Sequence, residues 1–242
     1  MKKIIISLIS LGTFIALTIV ACTPSDVSPP DFAAIKDVKH KKQTFFDYMS
    51  PLIDEGNKNI LSTRKRIVAC QAKAELSADD NRFLKRVSEQ YSIRSKPTSR
   101  QFDFHELLLR VDYIPPSLAL AQSANESAWG TSRFALEANN FFGQWCFKKG
   151  CGIVPSRRNP GSSHEVRSFT SAKDSVFSYM HNINSGQAYR SLRKIRLELR
   201  MQEKPITGTA LAAGLIKYSS RGTEYVKEIR SMIRTNRLFV YD

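Results

Sequence analysis

One carboxylate stands alone in a long uncharged stretch. Between Asp112 and Arg133 lie twenty residues, and Glu126 is the single charged side chain among them. Its neighbours are small, apolar or neutral polar, with Leu118, Leu120, Ala121 and Ala124 before it and Trp129 and Gly130 after it. A carboxyl in such company, with no cation near it in sequence, is costly to ionise, so its pKa is expected to rise. An acid still protonated near neutral pH can give its proton to a leaving oxygen. The same position also suits a glutamate that ends a helix in solvent, the usual place for that residue. At this point both readings stand.

The element that must carry Glu126 is a helix. Pro116 fits a first helical turn, where its missing N–H costs nothing. Leu118, Ala121 and Ala124 follow at helical spacing, with Leu120 flanking the same face. Apolar character nearly all round marks a helix inside a core. Trp129 and Gly130 fall where it should end, which leaves the carboxyl at the end of a buried helix, one turn from an indole.

The stretch has a family likeness. Gln-Ser-Ala-Asn-Glu-Ser-Ala-Trp-Gly-Thr-Ser-Arg-Phe-Ala (122–135), followed by Asn-Asn-Phe-Phe-Gly (139–143), resembles the signature of the glucosaminidase-domain peptidoglycan hydrolases, and among them the bacterial Bax-like branch. The resemblance covers roughly residues 105–238. It implies an endo-β-N-acetylglucosaminidase with a lysozyme-like helical fold and Glu126 as catalytic acid. Lysozyme itself holds its acid glutamate against a tryptophan, and by that likeness Trp129 belongs beside the substrate. The resemblance also implies a second carboxylate on a β-hairpin, which falls on Glu165, although Val166 follows it where the family commonly has tyrosine. It implies a tyrosine whose hydroxyl lies by the scissile sugar, matched by Tyr218, and a second opening the final helix, matched by Tyr225. These two are seven apart here, against a usual six. Phe142, Gly143 and Trp145 are candidate substrate contacts; Phe141 and Phe142 also suit a core.

Two cysteines follow this block. Cys146 and Cys151 are separated by four residues with Gly150 available for a turn. If strands pair around 147–150, the cysteines face one another across a hairpin at a separation a disulfide accepts, and an oxidising compartment would keep the bond. A metal site from both cysteines and His164 lacks a second pair of close ligands. Neither a metal nor a cofactor is expected. Residues 152–169 alternate short apolar pairs with Pro155, Pro160 and Gly161 and suit a small β-hairpin arm over the cleft.

The remaining elements are helical. Phe45, Phe46, Met49, Leu52 and Ile53 follow a 3–4 spacing, and Pro51 among them should kink or split that helix. Ser77 and Asp80 resemble a capping box before Phe83, Leu84, Val87 and Tyr91. Residues 93–100 suit a linker. Ser171 and Asp174 resemble another box, before the stripe Val176, Phe177, Met180 and Ile183. His181 has no carboxylate at helical spacing to orient it and suits a structural or exposed role. Residues 189–200 alternate arginine and leucine like a surface helix. Residues 210–218 are an alanine-rich helix ending near Tyr218, and Thr223 caps another with Val226, Ile229 and Ile233 inward. Cys70 suits a small buried apolar residue.

The N-terminus looks like an address. Lys2 and Lys3 precede an apolar run over 4–21 that stops at Cys22, the layout of an export signal. Ile-Val-Ala-Cys (19–22) resembles a lipoprotein cleavage box, with Cys22 lipidated; a run of this length is also nearly long enough for an uncleaved membrane anchor. By likeness to bacterial lipoproteins, Thr23 rather than aspartate suggests the outer membrane, facing the periplasm. Residues 23–33, proline-rich at their start, suit a flexible tether.

The chain has 37 basic and 22 acidic residues, a formal charge of +15. Residues 187–238 alone carry twelve basic against four acidic. A basic surface seeks an anionic partner. For an exported protein that partner is the wall or a lipid headgroup rather than nucleic acid, and the alternative is a charged face that only keeps the protein soluble.

The expected fold is therefore mainly α: a lysozyme-like catalytic domain over 101–242 with a small β-hairpin arm, preceded by a helical N-terminal subdomain over 34–100. The expected function is cleavage of the β-1,4 bond after N-acetylglucosamine in peptidoglycan strands by a monomeric lipoprotein. Two alternatives remain: a lytic transglycosylase, and an inactive peptidoglycan-binding module.

Overall fold

The structure is a computed structural model that describes residues 28–93, 102–156, 158, 161 and 163–242. The export signal, Cys22, residues 23–27 and most of the expected linker (94–100) lie outside the described residues. Among those described, α-helix dominates and the β-structure is one small sheet.

The longest element is α1, Val38–Gln71. Asp37 caps it by accepting from the His40 amide at 2.7 Å. Its apolar face, including Phe45, Phe46, Met49, Leu52 and Ile53, is buried. The expected split at Pro51 does not occur: the helix runs unbroken through it. A proline within a helix costs about 3 kcal/mol, but this one interrupts a face packed on three neighbouring helices, and that packing outweighs the lost N–H. Helix α2, Ala78–Gln90, starts at the Ser77–Asp80 capping box. Short α3, Phe104–Arg110, leads to α4, Pro116–Glu126, in which every residue from Pro116 to Ala124 is buried.

Helix α4 is the centre of the molecule. It packs on α1, on α8 (Gly208–Leu211), on α9 (Thr223–Thr235) and on the final 3-10 turn Leu238–Tyr241. Its N-cap, Pro115, offers no side-chain bond. Asp242 takes that role: its carboxylate accepts from Ser117 N at 3.0 Å, Ser117 Oγ at 2.8 Å and Gly208 N at 3.0 Å. A carboxylate at a helix N-terminus satisfies free amides and complements the dipole. Gly208 is required at this junction, because a Cβ there would sit 2.1 Å from Ser117 Oγ.

Between α4 and α6 (Ala172–Ser185) lie α5, Arg133–Ala138, and the sheet. Strands β1 (Trp145–Cys146) and β2 (Gly152–Ile153) do not pair with each other, which corrects the hairpin expected around 147–150. Both run antiparallel to β3 (Glu165–Arg167), which lies between them. Two corrections concern the N-terminal part and α7. The tether expected over 23–33 is already packed at its end: Phe32 is fully buried against Phe45 and Tyr48. Helix α7, Arg190–Met201, is not a surface helix, since Arg193 and Arg196 are each 1 % exposed.

Those arginines bind backbone carbonyls at helix ends. Arg196 Nη1 donates to Asp112 O and Tyr113 O at 2.9 Å, and its Nη2 to Leu109 O at 3.0 Å, at the end of α3. Arg193 donates to Ile183 O and Gly186 O at the end of α6. The counter-charge is Asp112, 2 % exposed, which Arg200 grips through Nε at 2.6 Å and Nη2 at 2.5 Å. Burial would raise the Asp112 pKa, but the Arg200 bonds and the Arg196 and Arg64 charges outweigh it and hold the carboxyl below its ordinary value. Such a group stabilises the fold above its unfolded pKa, and that stability is lost as pH falls through the folded value. Asp112→Asn should therefore cost about 3–5 kcal/mol near neutral pH, the usual penalty for leaving buried cations unpaired. Urea unfolding followed by circular dichroism checks this, and the gap to wild type should narrow in strong acid.

Candidate functional site

The site starts where α4 stops. Glu126 is its last residue, and Ala128, Trp129 and Gly130 then take positive φ of 50°, 59° and 77°. Three successive left-handed residues reverse the chain sharply, and only the glycine adopts this region without strain. The turn is held by Trp129 N on Ala124 O at 2.9 Å and Gly130 N on Ser127 Oγ at 2.8 Å. Gly130 packs on Phe32, where a Cβ would come within 2.3 Å of the ring.

This turn separates the glutamate from the tryptophan. The Trp129 indole packs on Phe45 and Phe46 of α1 at ring distances of 5.8 and 5.4 Å, with Lys42 Nζ 4.8 Å from its centre. It does not line the cleft at Glu126. The expected acid-on-indole pair is thus absent: Trp129 anchors the α4 turn to α1.

A tyrosine meets Glu126 instead. Tyr225, near the start of α9, donates from its hydroxyl to Glu126 Oε1 at 2.8 Å and is 2 % exposed. Tyr218, expected with its hydroxyl by the scissile sugar, donates to Phe142 O at 2.8 Å and stacks on the Tyr225 ring at 5.3 Å, 8° from parallel. Tyr218 lines the cleft, whereas Tyr225, expected as a substrate contact, touches the acid from within and is not among the described lining residues. Burial raises the Glu126 pKa above its ordinary value, and the Tyr225 and Asn125 bonds offset only part of that rise.

The cleft has a volume of about 420 Å³. Its floor is Glu126, Phe142 and Gly143, and its walls come from Trp145, Tyr189 and Tyr218. Asn140 builds the floor loop: its Oδ1 accepts from Gln144 N at 3.0 Å, and its Nδ2 donates to Gln144 O at 2.9 Å and Arg167 O at 2.8 Å. Gly143 has φ +63°, and a Cβ on it would lie 3.3 Å from Glu126 Oε2. Phe142 stacks on Tyr179 at 4.0 Å and is 1 % exposed, so it supports the floor from the core. Trp145 is 58 % exposed and stacks on His164 at 4.2 Å, a flat apolar ledge at the rim.

Glu165 is elsewhere. It is buried in β3, and its two oxygens accept from Gly150 N at 3.0 Å and Gly152 N at 2.9 Å. Those amides pull its pKa below the ordinary range. It does not line the cleft, where Glu126 is the one carboxyl among the described lining residues. The role expected of Glu165 as second carboxylate is replaced by a structural one: it holds the loop that Cys146 and Cys151 close. The two cysteines are bonded, with Cα atoms 6.2 Å apart. Their sulfurs and a Glu165 oxygen lie within 4.8 Å of one another, but bonded sulfurs offer no thiolate to a metal.

Several site residues carried no motif. Gln144, Asn182 and Tyr189 line the cleft. Gln122 donates to Tyr225 Oη at 3.0 Å and accepts from Tyr179 Oη at 2.6 Å. A polar amide four residues before Glu126 on an otherwise apolar helix was a usable signal, because a buried amide must find partners. Tyr179 gave none: the apolar stripe expected on α6 passed through Phe177, but Tyr179 is the buried one. His181 sits apart from the cleft, edge-on to Tyr91, its pKa lowered by burial.

The cleft can hold an extended polar chain against one proton donor. Ionised Glu126 is penalised by burial at pH above its raised folded pKa, and the penalty vanishes below the unfolded pKa. Glu126→Gln should therefore raise Tm near neutral pH and leave it unchanged in acid below the ordinary glutamate pKa, as calorimetry would read. Gly143→Ala forces a Cβ onto the acid in a left-handed conformation that costs an alanine about 1–2 kcal/mol. It should lose turnover more than stability, as rate and urea midpoint together measure.

Comparison with known proteins gives three findings. A family model described as mannosyl-glycoprotein endo-beta-N-acetylglucosaminidase, of the glucosaminidase family, matches residues 103–238. Protein bax of Escherichia coli (strain K12) is 32 % identical over 213 residues, covering 88 % of this chain and 76 % of that protein. The catalytic domain of the autolysin Auto from Listeria monocytogenes aligns with a TM-score of 0.41 at 20 % identity, covering 74 % of this chain and 96 % of that one.

Proposed function

The chain belongs to the glucosaminidase family, and from that premise we propose that it cleaves the β-1,4 glycosidic bond after N-acetylglucosamine in peptidoglycan, with Glu126 as general acid. One observation carries the reading. Among the described residues, a half-buried carboxyl with a raised pKa stands as the sole acid lining an open cleft. Glu126 protonates the glycosidic oxygen as the bond to the anomeric carbon breaks and the electron pair leaves with that oxygen. The bonds that occupy Glu165 argue against a two-carboxylate pair. The attacking group on the far face is then the substrate's own acetamido oxygen, followed by water. Trp145, with His164 behind it, offers an apolar face for a sugar ring.

The wider setting rests on the N-terminal sequence. An export signal over 1–22 with lipid on Cys22 would hold the enzyme at the envelope membrane, within reach of the wall, as a monomer. The outer membrane facing the periplasm is the location we favour. The positive charge suits an anionic wall, but its surface share is smaller than the composition suggests, because Arg193 and Arg196 are internal.

A zymogram on purified peptidoglycan tests the reading. Wild type should clear the gel, and Glu126→Gln should reduce turnover by roughly 100-fold or more, the lower end of what a positioned acid contributes. Equal clearing by both removes Glu126 from the mechanism. Mass spectrometry of the digest should find N-acetylglucosamine at the new reducing ends. Anhydromuramic ends would make the protein a lytic transglycosylase, and no clearing by wild type would make it a binding module.

A further inference from the structure

A file of hydrogen bonds stands behind the acid. Tyr179 Oη is 2.6 Å from Gln122 Oε1, Gln122 Nε2 is 3.0 Å from Tyr225 Oη, and Tyr225 Oη is 2.8 Å from Glu126 Oε1. Tyr179, Gln122 and Tyr225 are 1 %, 0 % and 2 % exposed, so water does not compete for these bonds. The file comes from three helices, α6, α4 and α9.

Its direction is fixed by the far end. A glutamine amide has one donor end and one acceptor end, and turning it over would reverse every bond in the file. Tyr179 decides between the two. Among the described residues its hydroxyl has Gln122 as hydrogen-bond partner. A buried O–H left without an acceptor costs about 1–3 kcal/mol, so Tyr179 donates to Gln122 Oε1. That points Nε2 at Tyr225, where it donates to the hydroxyl oxygen. The Tyr225 hydrogen is then directed to Glu126 Oε1, which can only accept. The acid's own proton is left with Oε2, the oxygen beside Gly143 on the cleft floor.

We infer that Tyr179 and Gln122 are positioning residues, and that the file they polarise assigns the transferable proton of Glu126 to Oε2. The use of that proton rests on the glycosidase reading; the geometry does not. During cleavage the Oε2 proton passes to the glycosidic oxygen, and the tyrosines keep theirs. Tyr225 continues to donate to Oε1 and steadies the carboxylate until water returns a proton to Oε2. With the file reversed, Glu126 would give its proton to Tyr225 from Oε1, and the oxygen facing the cleft would be bare. Other groups act on this carboxyl: Asn125 on the same turn, which is half-exposed, Glu228 and Arg221, which act with opposite signs, and the hydroxyls of Tyr189 and Tyr218. None of them belongs to the file.

The test reads the carboxyl itself. In the full chain labelled with 13C-glutamate, the Glu126 side chain is titrated by NMR in wild type, Tyr225→Phe, Tyr179→Phe and Gln122→Met. Tyr225→Phe removes the last donor and raises the Glu126 pKa. Tyr179→Phe keeps its ring on Phe142 and loses one oxygen, yet it raises the pKa in the same direction, because the amide can now turn over and accept a proton-reversed file. Gln122→Met does likewise, and serves if Tyr179→Phe folds poorly. The alkaline limb of kcat/KM moves up with the titration. In Tyr179→Phe kcat falls about tenfold at constant KM, a part of the ~100- to 10,000-fold effect of a positioned acid. A merely structural Tyr179 would lower stability and leave the titration where it is. If Tyr225→Phe shifts Glu126 while Tyr179→Phe and Gln122→Met do not, the file ends at Tyr225 and the inference is overturned. The titration needs no turnover, so a failure of the glycosidase reading, seen as no clearing by wild type, would not be mistaken for a failure of the file.

Discussion

Taking a carboxyl group out of water costs several kcal/mol unless donors replace its hydration, and Glu126 is half withdrawn at the mouth of a buried helix. Replacement here is partial. Tyr225 serves one oxygen from inside the protein, and the other lies against a bare glycine at the cleft. Burial without full compensation is what raises the pKa of the group. The helix bearing it is held at several points. Asp242 holds the first turn of α4, α1 and α9 cover its sides, and the Trp129 turn fastens its last residues to Phe45 and Phe46. Each is remote from the acid's oxygens, yet each limits where those oxygens can go.

The interior arginines are a second structural device. Loops at the ends of α3 and α6 leave carbonyl oxygens inside the molecule, where water cannot reach them. Arg193 and Arg196 supply several donors each and satisfy them together. Asp112 returns the charge balance, and it is bound by cations from both α1 and α7. A planar five-donor group suits this work better than lysine, which presents a compact point charge. The same residues look like part of a basic surface when the sequence is counted, and they are not.

The small sheet shows how one residue type serves two purposes in one chain. Glu126 and Glu165 are both glutamates withdrawn from solvent, and their pKa values are moved in opposite directions. Glu165 receives two backbone amides from the loop closed by Cys146 and Cys151, so its charged form is the favoured one. By fixing that loop beside β1, it fixes the strand that carries Trp145 to the rim of the cleft. Its contribution to the site is geometric.

Local pattern sufficed for the parts of this protein that depend on near neighbours. The buried helix ending at Glu126, the capping box at Ser77, the bonded pair Cys146 and Cys151 and the mainly helical character all follow from residues a few positions apart, where spacing dictates which side chains share a face. Folding in three dimensions decided the rest. Pro51 stays inside an unbroken helix whose buried face packs on distant helices. Trp129 leaves the acid because three left-handed residues turn the chain back on itself. Tyr225 reaches Glu126 from inside the protein, and Glu165 turns to its own loop, because hydrogen-bond partners are chosen by distance in space. A sequence orders residues along a line, and a pKa or a proton's location is set by whatever lies within a few ångströms in any direction.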